Sequence, residues 1–483
     1  MIEDIIARKK ECETLQESLD SRTSQLIIVY GRRRVGKTFL INQFFDNNFS
    51  FKVTGIFNKP KETQLEAFTK ALNFYFKLNL KVQTSWFDAF DILKRALAEQ
   101  KNSLKKSVIF FDELPWLDTQ KSGFLPAFEW FWNDWGCAQN NLMCIVCGSA
   151  TSWMVDNIDH NKGGLFNRQN SRIYLEPFNL NETREFLLAK NIDWAPYDIA
   201  ECYMVMGGIP YYLSMMDKSK SLAQNIDQLF FADNAELKDE FNDLYRALFK
   251  KSADHIAVVT ALATKGMGMT RQELIKASGG KDNGAFSTVL EELEQCGFIR
   301  LYEPFSTTNK MTSDIRQKRN TLFQLVDFYT LFYFRFIKHN KYQDSSFWSS
   351  SQNSQLYHTW AGLSFEMLCL NHIDKIKHAL GISGVQTLVC SWRSSNTEKG
   401  TQIDLLIDRK DETINICEMK FYKSEFEISK EYEEKLLEKL RIFTEETKTS
   451  KSLLLTLITS FGLKQNKHSD IVQKQITMDE LFI

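Results

Sequence analysis

The chain has 483 residues, of which 43% are hydrophobic and 25% charged, and its formal net charge is −1. That length exceeds one ordinary core and points to about two to four domains, and the composition excludes a disordered chain. The near-neutral charge excludes whole-chain attraction to nucleic acid, so any such contact must come from local patches.

The nine cysteines are scattered and odd in number, the first residues hold no apolar signal core, and no run is long enough to span a bilayer. A cytoplasmic protein without membrane contact is expected. Cys144 and Cys147 share one apolar run, but a strand sends residues three apart to opposite faces. Small buried hydrophobes fit them better than zinc ligands.

In chain order, the runs 25–31, 51–57, 106–113 and 142–150 are short, apolar and rich in β-branched and aromatic side chains, with helical stretches between them. Such alternation predicts an α/β parallel sheet covered on both faces, assigned to residues 1–180. Residues 181–250 read as helices, opened by NLNETREFLLAK with its Asn/Thr capping chemistry and interrupted by MGGIPYYL. Residues 251–345 predict three helices and a strand pair in winged-helix order, then an aromatic-rich connection. The polar segment 306–320 reads as a wing tip or loop, 340–354 as a low-complexity linker, and 356–483 as a last α/β domain.

Directly after the first strand comes GRRRVGKT. Gly31 and Gly36 let the backbone turn so that N–H groups, those of Arg34 and Val35 among them, face phosphate oxygens at the start of a helix. Lys37 is then placed to reach the β- and γ-phosphates of ATP, Thr38 to ligate Mg²⁺, and Phe39 to border the nucleotide. Downstream, VIFFDE ends a buried strand in Asp112, suited to the Mg²⁺ shell, and Glu113, suited to activate water. Ser149, at the end of the next strand, reads either as a γ-phosphate sensor or as a structural turn. Arg168 reads as an arginine finger, in cis or toward a second copy of the chain, or as a surface charge. Trp116, Trp130, Trp132 and Trp135 are expected in packing.

GRRRVGKT, FFDELPWL, CGSATSWM, GGLFNR, LEPF and GGIPYYL together resemble the archaeal-type ATPase family, a STAND-like branch of the AAA+ P-loop ATPases. The resemblance implies a five-stranded P-loop core, a helical lid and a winged helix, and places Gly208 and Pro210 near the nucleotide. The winged helix itself is poorly equipped for DNA. Residues 251–305 hold six Lys/Arg against seven Asp/Glu, and the candidate recognition helix has no basic residue.

The segment IDLLIDRKDETINICEMKFYK predicts a β-hairpin whose turn, 409–413, sets Asp404 opposite Glu418. Glu418 and Lys420 share a face with Asp404, and the opposite face, from Ile403 to Met419, is apolar. Two facing carboxylates in buried strands are costly unless a divalent cation or Lys420 offsets them, and a solvated edge strand is the alternative. Asp404, Glu418 and Lys420, with Glu366 on a preceding helix, resemble the PD-(D/E)XK nuclease pattern. That pattern implies catalytic roles for all four and metal ligation by Asp404 and Glu418. Lys435 and Arg441 on the later helix read as phosphate contacts or a solvated charged face. The whole reads as an ATP- and Mg²⁺-dependent ATPase with a nuclease-like domain, for which DNA and a second copy of the chain are the candidate partners. An ATP-driven signalling or assembly switch whose last domain binds without cleaving is the alternative.

Overall fold

The computed structural model describes residues 5–100, 106–159, 164–165, 168–249, 251–265, 268–302, 305, 321–340, 344–394 and 400–483. The expected wing tip at 306–320 lies outside them. The chain divides into two compact units, Met1–Pro177 and Phe178–Ile483.

The first unit is built on five parallel strands, β1 (Gln25–Tyr30), β2 (Phe51–Thr54), β3 (Ser107–Asp112), β4 (Leu142–Gly148) and β5 (Ser171–Tyr174), in the order β2-β3-β4-β1-β5. Leu26, Ile27, Ile28 and Val29 are all fully buried, as a parallel strand covered on both faces requires. One face packs on the helices Lys61–Phe76, Trp86–Glu99 and Phe124–Asp134 through Phe68, Phe90, Phe128 and Trp132. Trp130 and Trp135 pack beside that core, and Trp116 meets Phe57 edge-on, in line with the packing role expected of them. Cys144 and Cys147 are buried free thiols.

In the second unit, Asn179 caps the helix Leu180–Ala189, in line with the capping expected there, and Glu182 returns a bond to the Asn179 backbone. The helix Pro196–Met206 ends at Gly207 and Gly208, with φ of 67° and 65°. A Cβ on Gly208 would lie 2.1 Å from the Phe178 carbonyl oxygen, so only glycine lets Pro210 restart a helix there. Next comes a winged-helix order: helix Ser252–Thr264, β6 (Met269–Thr270), helices Arg271–Ser278 and Gly284–Gln295, β7 (Ile299–Tyr302) and β8 (Leu322–Leu325). Its sheet runs β6-β8-β7, antiparallel.

Of the segment 340–354, expected as a linker, residues 344–354 are instead anchored. Trp348 is fully buried against Phe332, Phe336 and Trp360, and Asp227 accepts from the Trp348 backbone N–H at 2.9 Å. Two large aromatics among the serines outweigh the polar composition.

The last sheet joins β9 (Thr387–Arg393), β10 (Gln402–Arg409), β11 (Thr413–Lys420), β12 (Ser452–Thr459) and β13 (Lys474–Thr477) in the order β13-β12-β11-β10-β9. β9, β10 and β11 are antiparallel, whereas β11, β12 and β13 run parallel. Helix Gln355–Asn371 packs on β11, and helix Lys430–Thr447 lies between β11 and β12 in sequence.

Candidate functional site

The loop between β1 and helix Lys37–Phe44 is set by backbone geometry. Gly31, Arg34 and Gly36 take φ of 141°, 72° and 92°, and a Cβ on Gly31 would meet the Leu175 carbonyl oxygen at 2.4 Å. The Lys37 side chain is buried and donates to the carbonyls of Gly31 and Arg32, each at 2.8 Å, so the loop holds its own ammonium over the space it encloses. Val35 is buried, and its carbonyl accepts from Arg8 at 3.2 Å. Phe39 is 55% exposed.

Strand β3 brings Asp112 to the same place. Its Oδ1 accepts from the Thr38 hydroxyl at 2.9 Å and from the Glu113 N–H at 3.1 Å. Burial raises the Asp112 pKa, while the bond from Thr38, the charge of Lys52 and a bond from the Cys147 thiol oppose that rise. The Thr38 and Asp112 oxygens form a hard-donor pair suited to Mg²⁺ beside a nucleotide. Glu113 has φ of 47°, and its carboxylate accepts from the Ser149 hydroxyl at 2.8 and 3.1 Å and from the Ser149 N–H at 3.2 Å. Ser149 therefore holds Glu113 in this structure. Cys147, read from sequence only as a core thiol, also touches the acidic pair. Its position two residues before Ser149 was the available signal, since alternate residues of a strand share a face.

Arg168 is exposed, with its backbone N–H bonded to the Leu165 carbonyl at 3.0 Å. Pro210 opens the helix Pro210–Ser214 in the second unit.

The second candidate site lies on the last sheet. Leu405 pairs with Cys417, and the register continues to Asp408 opposite Ile414; extended by one residue it sets Asp404 opposite Glu418, as the turn predicts. One feature was not legible. The β10–β9 register shifts between Ile403 and Leu406, so Asp404 lies at a bulge, and Ile403 joins Leu406 in one core cluster although strict alternation assigns them opposite faces.

Glu366, Asp404, Glu418 and Lys420 are electrostatically coupled. Burial first, then the charge of Asp404, pushes the Glu366 carboxyl up to about 8, with Lys420 opposing. Asp404 is likewise raised by burial and by Glu418, against Lys439, a hydrogen bond from Gln402 and Lys420. Both Glu418 oxygens are engaged: Oε1 by the Lys439 ammonium, Oε2 by the Tyr432 hydroxyl at 3.3 Å. Among the described residues, no three His, Cys, Asp or Glu side chains are gathered as a metal site. The donor set is still all-carboxylate, the chemistry of a hard divalent cation.

Lys435 and Arg441, read as phosphate contacts or a solvated charged face, pair with exposed glutamates of their own helix, as the second reading has it. Sequence reasoning missed Lys439 and Tyr432. The signal was the spacing Tyr432, Leu436, Lys439, Phe443, one face of a helix, in which Leu436 and Phe443 are buried. The candidate DNA-reading helix Gly284–Gln295 exposes Glu291 and Glu294 and pairs Glu292 with His255 at 2.7 Å.

Among the described residues no helix is long and apolar enough to cross a membrane. A family model described as an ATPase domain predominantly from Archaea matches residues 5–216, passing the end of the first unit at Pro177. An uncharacterized protein of Methanocaldococcus jannaschii is 24% identical over 332 residues, covering 69% of this chain and 68% of the relative. An uncharacterized ATP-binding protein of the same organism is 50% identical over 42 residues, 9% of this chain and 71% of that protein. Similar solved structures include a Walker-type ATPase of Pyrococcus abyssi, with 18% identity, TM-score 0.49 and coverage of 69% of this chain and 97% of that one. The Aeropyrum pernix ORC2 protein, solved as ADPNP–ADP complexes, has 14% identity, TM-score 0.42 and coverage of 69% and 95%. Residues 5–216, which hold the phosphate loop and the Asp112–Glu113 pair, are thus similar to the ATPase domain found predominantly in Archaea.

Proposed function

We propose that this ATPase uses Mg²⁺ and ATP turnover to govern a metal-dependent, nucleic-acid-cleaving site on the β10–β11 hairpin. At the phosphate loop, the Lys37 ammonium exchanges the Gly31 and Arg32 carbonyls for β- and γ-phosphate oxygens. Thr38 and Asp112 would hold a Mg²⁺ ion, which would supply charge neutralisation on the phosphates. Glu113, once released by Ser149, orients the attacking water and takes its proton. Arg168 is the candidate to stabilise the transferred phosphoryl group, in its own chain or in a second copy.

The observation that carries the second half is the convergence of Glu366, Asp404, Glu418 and Lys420 on one end of a mixed sheet flanked by helices. Asp404 and Glu418 would hold a divalent cation there, the source of Lewis acidity toward a phosphodiester. Lys420 supplies a positive charge for the developing negative charge, and Glu366, whose carboxyl pKa is raised by burial and by the neighbouring Asp404, is the candidate proton carrier. Purified full-length protein should nick DNA in the presence of Mg²⁺ or Mn²⁺, and Glu418→Ala and Lys420→Ala should each abolish nicking. Cleavage unchanged by both substitutions sinks the nuclease reading.

One observation favours a second reading. Lys439 and Tyr432 already occupy both Glu418 oxygens, the arrangement expected of a domain that binds a partner without cleaving it. In that case ATP turnover persists while no metal-dependent cleavage is seen under any nucleotide condition.

A further inference from the structure

The Lys439–Glu418 pair lines an open cleft of about 830 Å³, together with Lys420, Tyr432 and three glutamates, Glu431, Glu434 and Glu438, each paired with a lysine or arginine of its own helix. Its partners are 19% and 11% exposed, sheltered enough for their interaction to exceed that of a surface pair. Leu436 and Phe443, on the same helix face, are buried and fix the backbone that carries Lys439, so the long side chain alone is left to move. Lys420 lies 5.3 Å from the Tyr432 ring centroid, and Tyr432 in turn holds the second Glu418 oxygen.

An ammonium on one oxygen of a carboxylate excludes a divalent cation from that oxygen by occupancy and by like-charge repulsion. That oxygen therefore cannot serve both, and the other already accepts from the Tyr432 hydroxyl. When the ammonium leaves, the cleft is the open side beside it, and the ligand chemistry suited to receive it is an anionic phosphate.

We infer that Lys439 is a positioning residue that competes with a divalent cation for Glu418, and that a phosphodiester ligand entering the cleft draws Lys439 away, so that metal and nucleic acid bind cooperatively. This rests on the reading of Asp404 and Glu418 as metal-holding residues. It assigns Lys439 a role distinct from that of Lys420: holding the site closed to metal until substrate arrives. The coupling is reciprocal, because whatever tightens metal binding in the presence of phosphodiester must tighten phosphodiester binding in the presence of metal.

The test is calorimetric titration of Mn²⁺ into the full-length chain carrying Lys37→Ala, which disables the phosphate loop, with and without a single-stranded oligothymidylate. In this background, oligothymidylate should strengthen Mn²⁺ binding. Adding Lys439→Met should strengthen it about tenfold without the oligonucleotide and remove most of the oligonucleotide's effect. Lys439→Arg, which keeps the charge, should behave as the parent, and thermal unfolding checks that each variant is folded. Mn²⁺ binding that depends on Asp404 but is equal or weaker in Lys439→Met overturns the competition while leaving the metal site standing. Mn²⁺ binding that is absent, or unaltered by Asp404→Asn, overturns both.

Discussion

The phosphate loop and the hairpin site are both built from lysine and carboxylate at strand ends, yet they are held ready in different ways. In the loop, Lys37 donates to neutral carbonyls of its own turn, hydrogen bonds that phosphate oxygens replace. In the hairpin, Glu418 rests on the charge of Lys439, which arrives from another element. A cation must break an ion pair to bind there. The first arrangement favours constitutive nucleotide binding, and the second favours conditional assembly.

The largest effect that tests this contrast is on turnover. Glu113→Gln should lower ATP hydrolysis about a thousandfold while nucleotide binding is retained, as expected for loss of a general base; unchanged turnover in a steady-state assay removes Glu113 from that role. Lys37→Ala should weaken ATP binding about a hundredfold or more, and equilibrium titration with a fluorescent ATP analogue measures it. If Lys37→Ala also abolishes Mn²⁺ binding at the hairpin, the two sites are less separate than proposed.

A third test concerns the support of the hairpin site. Helix Gln355–Asn371, which carries Glu366, ends against His372, whose Nε2 accepts from the Leu180 N–H at 3.0 Å. Nδ1 must then carry the proton and donate to the Leu368 carbonyl at 2.8 Å. Burial is the main cause that lowers the His372 pKa, to about 4. The unfolded chain takes up this proton near pH 6.5 and the folded chain only near 4, so stability is lost as pH falls through that window. The loss reaches about 3 kcal/mol. Hydrogen exchange of residues 355–371 should show it in the wild type, and His372→Asn should flatten the pH dependence.

The smallest effect is expected from Tyr432→Phe, which removes one hydrogen bond to Glu418. It should change Mn²⁺ affinity about threefold or less, because at 3.3 Å the bond is long for a hydroxyl donor.

These two regions also mark what the sequence could reveal. The phosphate loop is contiguous: glycine spacing, Lys37 and Thr38 lie within one turn and the start of one helix, so local chemistry specifies it. The parallel strands around it are continuous apolar runs, and the hairpin register was fixed by its turn. The hairpin site, by contrast, draws on a helix before it, two strands and a helix after it. Lys439 and Tyr432 were hidden in a charged amphipathic helix, because a lysine facing a sheet and a lysine facing water look alike in one dimension. The bulge at Asp404 was equally invisible, since no glycine marks it. Trp348 shows the reverse error, in which serine-rich flanks masked a buried anchor.

The most direct measurement is anomalous scattering from a crystal grown with Mn²⁺ and a non-hydrolysable ATP analogue. A peak beside Thr38 and Asp112 serves as the internal control. The account predicts a second peak between Asp404 and Glu418, with the Lys439 ammonium moved off Glu418 when a short oligonucleotide is present. A control peak with nothing at Asp404 and Glu418 in the oligonucleotide-bound crystal, and Lys439 still on Glu418, contradicts it.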